Sequence, residues 1–172
     1  ALSLASRLRG VVPWVKVGLE LFLNGGKELP ALLKDMGFKV FLDLKFMDIP
    51  NTVQAATAQA TRMGADMLTI HALGGRAMCE AAVSNFGRLD FGVNNAGIGG
   101  AAAPTGEYKL EDWQRVIYIN LTGVFLSMRY QIPEMLKSCG GVIVNVSSIL
   151  GWVGFATSPA YVAAKHAVIG LT

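Results

Sequence analysis

Four ionisable residues in the first third of the chain have the types and spacing of a proton-transfer site. Asp43, Lys45 and Asp48 lie close together, and Lys16 lies in an earlier apolar run. On a strand, Asp43 and Lys45 would share one face, where mutual attraction keeps both charged. Such a row could repel a substrate carboxylate and protonate the carbanion that its departure leaves. The alternative is an ion-pair network that only orients a sheet.

A second group of polar residues lies in the last third of the chain. Tyr161 and Lys165 are four residues apart and would share one face of a helix. A neighbouring ammonium favours a phenolate, which suits Tyr161 to act as a general acid or base. Ser148, at a predicted strand end, could donate a hydrogen bond to a substrate carbonyl. Alone, the pair Tyr161-x-x-x-Lys165 is weak evidence of a catalytic site. It becomes stronger evidence because Asn120 and Ser148 precede it in order along the chain.

These residues are positioned by a regular alternation of strands and helices. Short apolar runs predict strands at 12–18, 39–44, 66–70, 89–94 and 142–146. Longer amphipathic stretches predict helices at 2–9, 26–36, 51–63, 76–86, 110–136 and 158–171. This alternation predicts one α/β domain with about five parallel strands, either a half-barrel or a three-layer open sheet. Right-handed crossovers predict that strand order follows chain order.

Composition excludes several classes of protein. The 172 residues are 52% hydrophobic with a mean hydropathy of +0.44, which excludes disorder. The net charge of +3 is spread without a basic run, so we expect no nucleic-acid partner. The apolar run at 142–156 is shorter than the roughly 20 residues of a membrane span, so we expect no membrane partner. Cys79 and Cys139 have no metal-ligand spacing, so we expect no metal, reduced thiols and a cytoplasmic location.

The segment from Asp43 to Thr52 resembles the signature of orotidine 5′-phosphate decarboxylases, and Lys16 in its Lys-Val-Gly setting matches another lysine of that family. The resemblance implies that Lys45 is the proton donor, Asp43 the destabilising carboxylate and Lys16 its orienting partner. It also implies that Asp48 acts across a dimer interface and that Thr52 contacts the ribose or neighbouring groups from the other subunit.

This resemblance covers residues 1–83, and the stretch 69–75 resembles the family's next strand and loop. Members of the family are eight-stranded barrels, and the segment matches only the second, third and fourth strands. We find no counterpart of the later loops that grip the base and the phosphate. Because remote phosphate binding stabilises the transition state, we expect decarboxylation to be severely impaired.

Residues 84–172 resemble the short-chain dehydrogenase/reductase family, whose core is a Rossmann-type sheet. The resemblance implies a catalytic tetrad of Asn120, Ser148, Tyr161 and Lys165. It also implies that four consecutive residues stabilise the sheet and border the cofactor: Asn94, Asn95, Ala96 and Gly97. The glycine-rich turn that seats the cofactor pyrophosphate is not found, so we expect no cofactor, or NAD or NADP only if this site still binds.

The two resemblances meet inside a predicted helix, near residues 81–86. We therefore expect an artificial or recombined chimera, a folded scaffold with two incomplete sites and no efficient activity. The alternatives are residual orotidine 5′-phosphate decarboxylation and an NAD(P)-dependent reductase. Apolar helices at 110–136 and 158–171, together with open sheet edges, predict a homo-oligomer.

Overall fold

The computed structural model describes residues 1–71 and 76–172 and has an α/β fold. Its strands are β1 (Trp14–Gly18), β2 (Lys39–Phe46), β3 (Met67–Ile70), β4 (Phe91–Asn94) and β5 (Val142–Asn145). Its helices are α1 (Leu2–Leu8), α2 (Leu19–Gly25), α3 (Leu29–Asp35), α4 (Pro50–Arg62), α5 (Arg76–Phe86), α6 (Leu110–Ile117), α7 (Gly123–Leu136) and α8 (Pro159–Leu171). All strand pairs are parallel, so the predicted class is confirmed.

Two helical predictions differ in detail from the structure. The helix predicted at 110–136 is α6 and α7 joined by a π-helical turn, Tyr118–Thr122. The helix predicted at 26–36 begins at Leu29, and α2 precedes it. Gly26 ends α2 with a φ of 73°, and its amide donates to the Phe22 carbonyl. Helix α2 was not predicted from the sequence.

Contacts divide the chain into two compact units, Ala1–Gly87 and Arg88–Thr172. In the first unit, β1, β2 and β3 form a sheet in chain order. Val40 and Leu42 of β2 are fully buried with Val17 of β1, and Leu44 packs against the same core. The predicted alternation of β2, with Val40, Leu42 and Leu44 on the helix-covered face, is therefore confirmed.

The second unit is built on a two-stranded sheet, β4 beside β5. Helix α8 buries three small or branched residues four apart: Ala160, Ala164 and Val168. This spacing makes one continuous apolar stripe, which holds the helix against its neighbours. Ser147 and Ser148 follow Val146 just after β5, and the Ser147 hydroxyl donates to the Lys165 carbonyl of α8. No helix in the described parts of the chain is long and apolar enough to cross a membrane.

The prediction of one continuous sheet in chain order was wrong. Across the described residues, hydrogen bonds form a three-stranded and a two-stranded sheet, and β3 does not pair with β4. Chain order holds inside each of the two sheets.

Candidate functional site

Three of the four predicted residues in the first unit form one charged cluster. Asp43 Oδ2 accepts from Lys16 Nζ at 3.1 Å, and Asp43 Oδ1 accepts from Lys45 Nζ at 2.9 Å. Asp43 Oδ1 also accepts from Thr69 Oγ1 at 2.9 Å. The Asp43 side chain is 9% exposed, whereas those of Lys16 and Lys45 are 58% and 63% exposed. A buried carboxylate thus holds two ammonium groups that remain open to solvent.

The electrostatics of this cluster favour the ionised carboxylate. The hydrogen bond from Lys45 lowers the pKa of Asp43 most; burial opposes it, and the bonds from Lys16 and Thr69 support it. The net effect lowers the pKa of Asp43 from 3.8 to about 2. Asp43 is therefore a carboxylate throughout the neutral range. Both lysine ammonium groups can meet an anion or give up a proton beside it.

Asp48 and Thr52 lie apart from these contacts in the described chain. Asp48 is exposed, and its Oδ1 accepts from the backbone N–H of Ile49 at 2.7 Å. Thr52 is exposed on the first turn of α4. His71 continues the ladder of β3, because its amide donates to the Phe46 carbonyl at 3.0 Å. The loop of the decarboxylase-like motif, residues 72–75, lies outside the described residues.

Asn120 occupies the π-helical turn between α6 and α7 and is fully buried. Its Oδ1 accepts from the Ile98 N–H at 3.1 Å, and its Nδ2 donates to the carbonyls of Ile98 and Val116, each at 2.9 Å. Single π-turns inside α-helices often occur at functional sites. The amide of Asn120 thereby ties the loop after β4 to the helix.

Tyr161 and Lys165 lie together on α8, as their spacing predicts. Lys165 is 4% exposed, and its Nζ lies 5.6 Å from the centre of the Tyr161 ring. Its Nζ donates to the Val146 carbonyl, just after β5, at 2.7 Å. Burial lowers the pKa of the Lys165 ammonium. The ammonium thus lies on the ring face of Tyr161, held by a backbone carbonyl. The catalytic roles of both residues stay predictions.

The two serines after β5 have different partners. Ser147 Oγ donates to the Lys165 carbonyl at 2.9 Å, which anchors α8 to the end of the strand. Ser148 Oγ accepts from the Leu150 N–H at 3.2 Å and so caps a short 3₁₀ turn, Ile149–Gly151. Sequence reasoning missed Ser147, although its place beside Ser148 was a signal.

The four predicted residues that end β4 and follow it, residues 94–97, differ in burial. Asn94 is buried, and its amide exchanges hydrogen bonds with Gln131 and donates to Asn145 Oδ1 at 2.8 Å. Asn95 and Ala96 are exposed. Sequence reasoning missed Gln131, because a glutamine inside a long helix gives no signal of a partner on a strand.

Gly97 approaches the buried amide of the π-turn closely. A Cβ at this position would lie 2.5 Å from Asn120 Oδ1 and 3.7 Å from Lys165 Nζ. Only a residue without a side chain fits here without displacing its neighbours. The structure therefore brings Gly97, Asn120, Tyr161 and Lys165 into one neighbourhood, with Ser147 and Ser148 at the strand end beside it.

Comparison with known proteins finds relatives of two kinds. Residues 26–172 match the family model described as short chain dehydrogenase. The chain is 40% identical over 149 residues to a cyclohexanol dehydrogenase of Acinetobacter sp., covering 86% of this chain and 59% of that protein. It is 56% identical over 104 residues to an orotidine 5′-phosphate decarboxylase of Maridesulfovibrio salexigens, covering 60% of this chain and 42% of that protein.

Solved structures give the same fold for most of the chain. The crystal structure of levodione reductase matches with a TM-score of 0.60 and 29% identity, over 92% of this chain and 63% of that one. The chain spans less than two thirds of the length of each of these relatives. The family match, in contrast, extends over most of the chain. The chain therefore belongs to the short chain dehydrogenase family.

Proposed function

We propose that the chain is a recombined fusion in which a decarboxylase-like segment, residues 1–83, precedes a dehydrogenase-like segment, residues 84–172. The matches to both kinds of enzyme support this origin, as does the boundary between the compact units at Gly87. The family match begins at residue 26 and so crosses the junction. Strand and helix alternate in both parent families, and such a crossing is therefore compatible with a fusion.

In the dehydrogenase-like segment, we propose that the proton-transfer half of an oxidoreductase site is retained. The observation that carries this proposal is the buried Lys165 ammonium beneath the Tyr161 ring. Tyr161 would exchange a proton with the oxygen of a bound alcohol or carbonyl, and Ser148 would donate a hydrogen bond to that oxygen. Lys165 would supply positive charge that favours the phenolate during the transfer.

The nicotinamide cofactor of this family, NAD or NADP, would supply or accept the hydride. One solved relative is an NAD⁺-bound xylitol dehydrogenase. It is 28% identical to this chain with a TM-score of 0.60, and the match covers 92% of this chain and 62% of that chain. The glycine-rich turn that seats the cofactor pyrophosphate in this family has no counterpart in the sequence.

We therefore expect weak cofactor binding and no efficient turnover. At micromolar NADH or NADPH, fluorescence titration should give no saturable binding, and carbonyl reduction should not exceed background. At millimolar NAD⁺, where mass action compensates for weak binding, cyclohexanol should be oxidised slowly, as the name of the Acinetobacter relative suggests. Nicotinamide absorbance follows that reaction.

A pair of tyrosine variants separates catalysis from stability. Tyr161→Phe keeps the ring above Lys165 and removes only the hydroxyl, so the slow oxidation should fall by about 10² or more. Tyr118→Phe, at a tyrosine that is 53% exposed, should retain the activity. Saturable micromolar binding would contradict the weak-cofactor proposal. Absent oxidation, or oxidation that survives in Tyr161→Phe, would contradict the proton-transfer proposal.

A second candidate function is residual decarboxylation of orotidine 5′-phosphate in the first unit. The observation in its favour is the preassembled cluster of Lys16, Asp43 and Lys45. Loss of substrate absorbance at high protein concentration tests it. Lys45→Ala should abolish any activity, whereas Lys137→Ala removes a lysine from an exposed pair with Glu134 and should not. An activity that Lys45→Ala retains would exclude this cluster as its source.

A further inference from the structure

The ladder between β2 and β3 contains an irregularity at the charged cluster. Leu42 pairs with Leu68 and Phe46 pairs with Ile70, so three residues of β2 lie opposite a single residue of β3. That single residue is Thr69. A bulge of this kind leaves backbone groups without ladder partners and redirects side chains. Asp43 and Lys45, which carry the chemistry of the cluster, are both inside the bulge.

The bulge places Lys45 in an unfavourable backbone conformation. Its φ of 54° lies in the left-handed region, which a residue with a Cβ adopts only at an energetic cost. Its backbone N–H finds a partner in Thr69 Oγ1 at 2.8 Å. The same Oγ1 donates its hydrogen to Asp43 Oδ1 at 2.9 Å. One hydroxyl thus serves as acceptor for the strained backbone and as donor to the buried carboxylate.

We propose that Thr69 is a positioning residue that holds the β2 bulge in place and thereby keeps the Lys45 ammonium within hydrogen-bond distance of Asp43. Without an acceptor for its N–H, Lys45 loses the hydrogen bond that offsets the energetic cost of its left-handed backbone conformation. Relaxation to an extended conformation would redirect the Lys45 side chain. The distance of 2.9 Å between Lys45 Nζ and Asp43 Oδ1 therefore depends on a residue of another strand.

This inference deepens the second candidate activity and is separate from the dehydrogenase proposal, because every residue involved lies before residue 71. Its test relies on measurements that need no turnover. A chain without decarboxylase activity could still confirm it, and an active chain could still contradict it. The two proposals can therefore fail independently.

The decisive variant is Thr69→Val, which keeps the shape of the side chain and removes the hydroxyl. The pKa of Asp43, followed by carboxyl ¹³C NMR, should rise from about 2 at least halfway towards 3.8. Lys45 makes the largest contribution to the low value and Thr69 a smaller one. A rise of this size is expected if the Lys45 bond is lost together with that of Thr69. The Cα shift of Lys45 should move to values typical of a strand.

Two control variants separate positioning from general loss of structure. Thr69→Ser keeps the hydroxyl and should restore both the low pKa of Asp43 and the Lys45 Cα shift. Thr61→Val removes a hydroxyl whose bond goes to the Thr57 carbonyl within α4, and it should leave both measurements unchanged. Failure of the Thr69→Ser variant to restore both values, or a shift in Thr61→Val as large as in Thr69→Val, would overturn the proposal.

If Thr69→Val prevents folding, measurements on the unmodified chain test the proposal instead. The Lys45 amide should exchange slowly with solvent, and its Cα shift should have the left-handed signature. A fast-exchanging amide or a strand-like shift would overturn the proposal without any variant. In a folded Thr69→Val chain, an unchanged Asp43 titration would do the same.

Discussion

Replacing Gly97 by alanine tests whether the close approach in the second unit holds the site together. A Cβ at Gly97 would lie 2.5 Å from Asn120 Oδ1, a distance that real Cβ contacts do not adopt. Asn120 is fully buried and makes three hydrogen bonds to backbone groups, so its amide cannot turn away freely. We expect Gly97→Ala to destabilise the unit by displacing this amide.

The magnitude follows from the contacts that must change. The amide would have to move by about 1 Å to reach an ordinary contact, and overpacking of this kind costs about 1–3 kcal/mol. The move also breaks the bond from the Ile98 N–H, and a buried unpaired donor costs about 1–3 kcal/mol. Alanine returns about 0.4–1 kcal/mol by restricting the unfolded chain. The expected loss in the free energy of unfolding is therefore about 2–4 kcal/mol.

Gly99 is the matched control, since a Cβ there would meet no atom within 4 Å. Neither glycine has a positive φ, so alanine is conformationally allowed at both. Urea unfolding followed by the fluorescence of Trp113 and Trp152, both in the second unit, gives the free energies. Gly99→Ala should stay within about 0.5 kcal/mol of the unmodified chain. If Gly97→Ala also left the free energy of unfolding within about 0.5 kcal/mol of that of the unmodified chain, the result would contradict the close approach of Gly97 to Asn120.

Two further predictions concern acid stability and self-association. Because the pKa of Asp43 is lowered to about 2, its pairs stabilise the fold above about pH 4 and are lost as the pH falls to 2; solvent screening of the lysines limits the contribution to about 1 kcal/mol. The stability difference between the unmodified chain and Asp43→Asn should therefore shrink between about pH 5 and pH 2 in urea unfolding, and a constant difference would contradict the lowered pKa. On the exposed face of β4 and β5, Phe91 and Val144 are 64% and 49% exposed, and such apolar sheet surface favours association. Light scattering at tens of micromolar should detect oligomers that Val144→Lys reduces and Leu23→Lys, on α2, does not; a strict monomer would contradict this.

The sequence predicted those features that depend on local periodicity and spacing. Alternation along β2 placed Val40 and Leu42 in the core, and helical spacing placed Tyr161 beside Lys165. The charged pairs of Asp43 followed from the same alternation and from strand adjacency. All of these depend on one element or on two neighbouring strands, which is the range over which patterns in a sequence are informative.

The missed features depend on contacts between distant elements. Thr69 acts through a bulge whose register no single strand reveals, and Gln131 acts through an amide on another strand. Asp48 illustrates a further limit: its motif associates it with the cluster, while its described bond goes to the adjacent Ile49 N–H.

Asp43 and Lys165 are both buried charged residues, yet opposite effects determine their pKa values. At Asp43, ammonium groups at hydrogen-bond distance outweigh burial, so the site depends on charge. At Lys165, no carboxylate of the described residues lies within ion-pair distance, and burial dominates, so the site depends on packing. Each dependence is local: the described partners of Asp43 lie before residue 71, and those of Lys165 lie after residue 96. The proposed junction at residues 81–86 therefore interrupts none of the contacts described for Asp43 and Lys165, as expected if both arrangements survive a fusion.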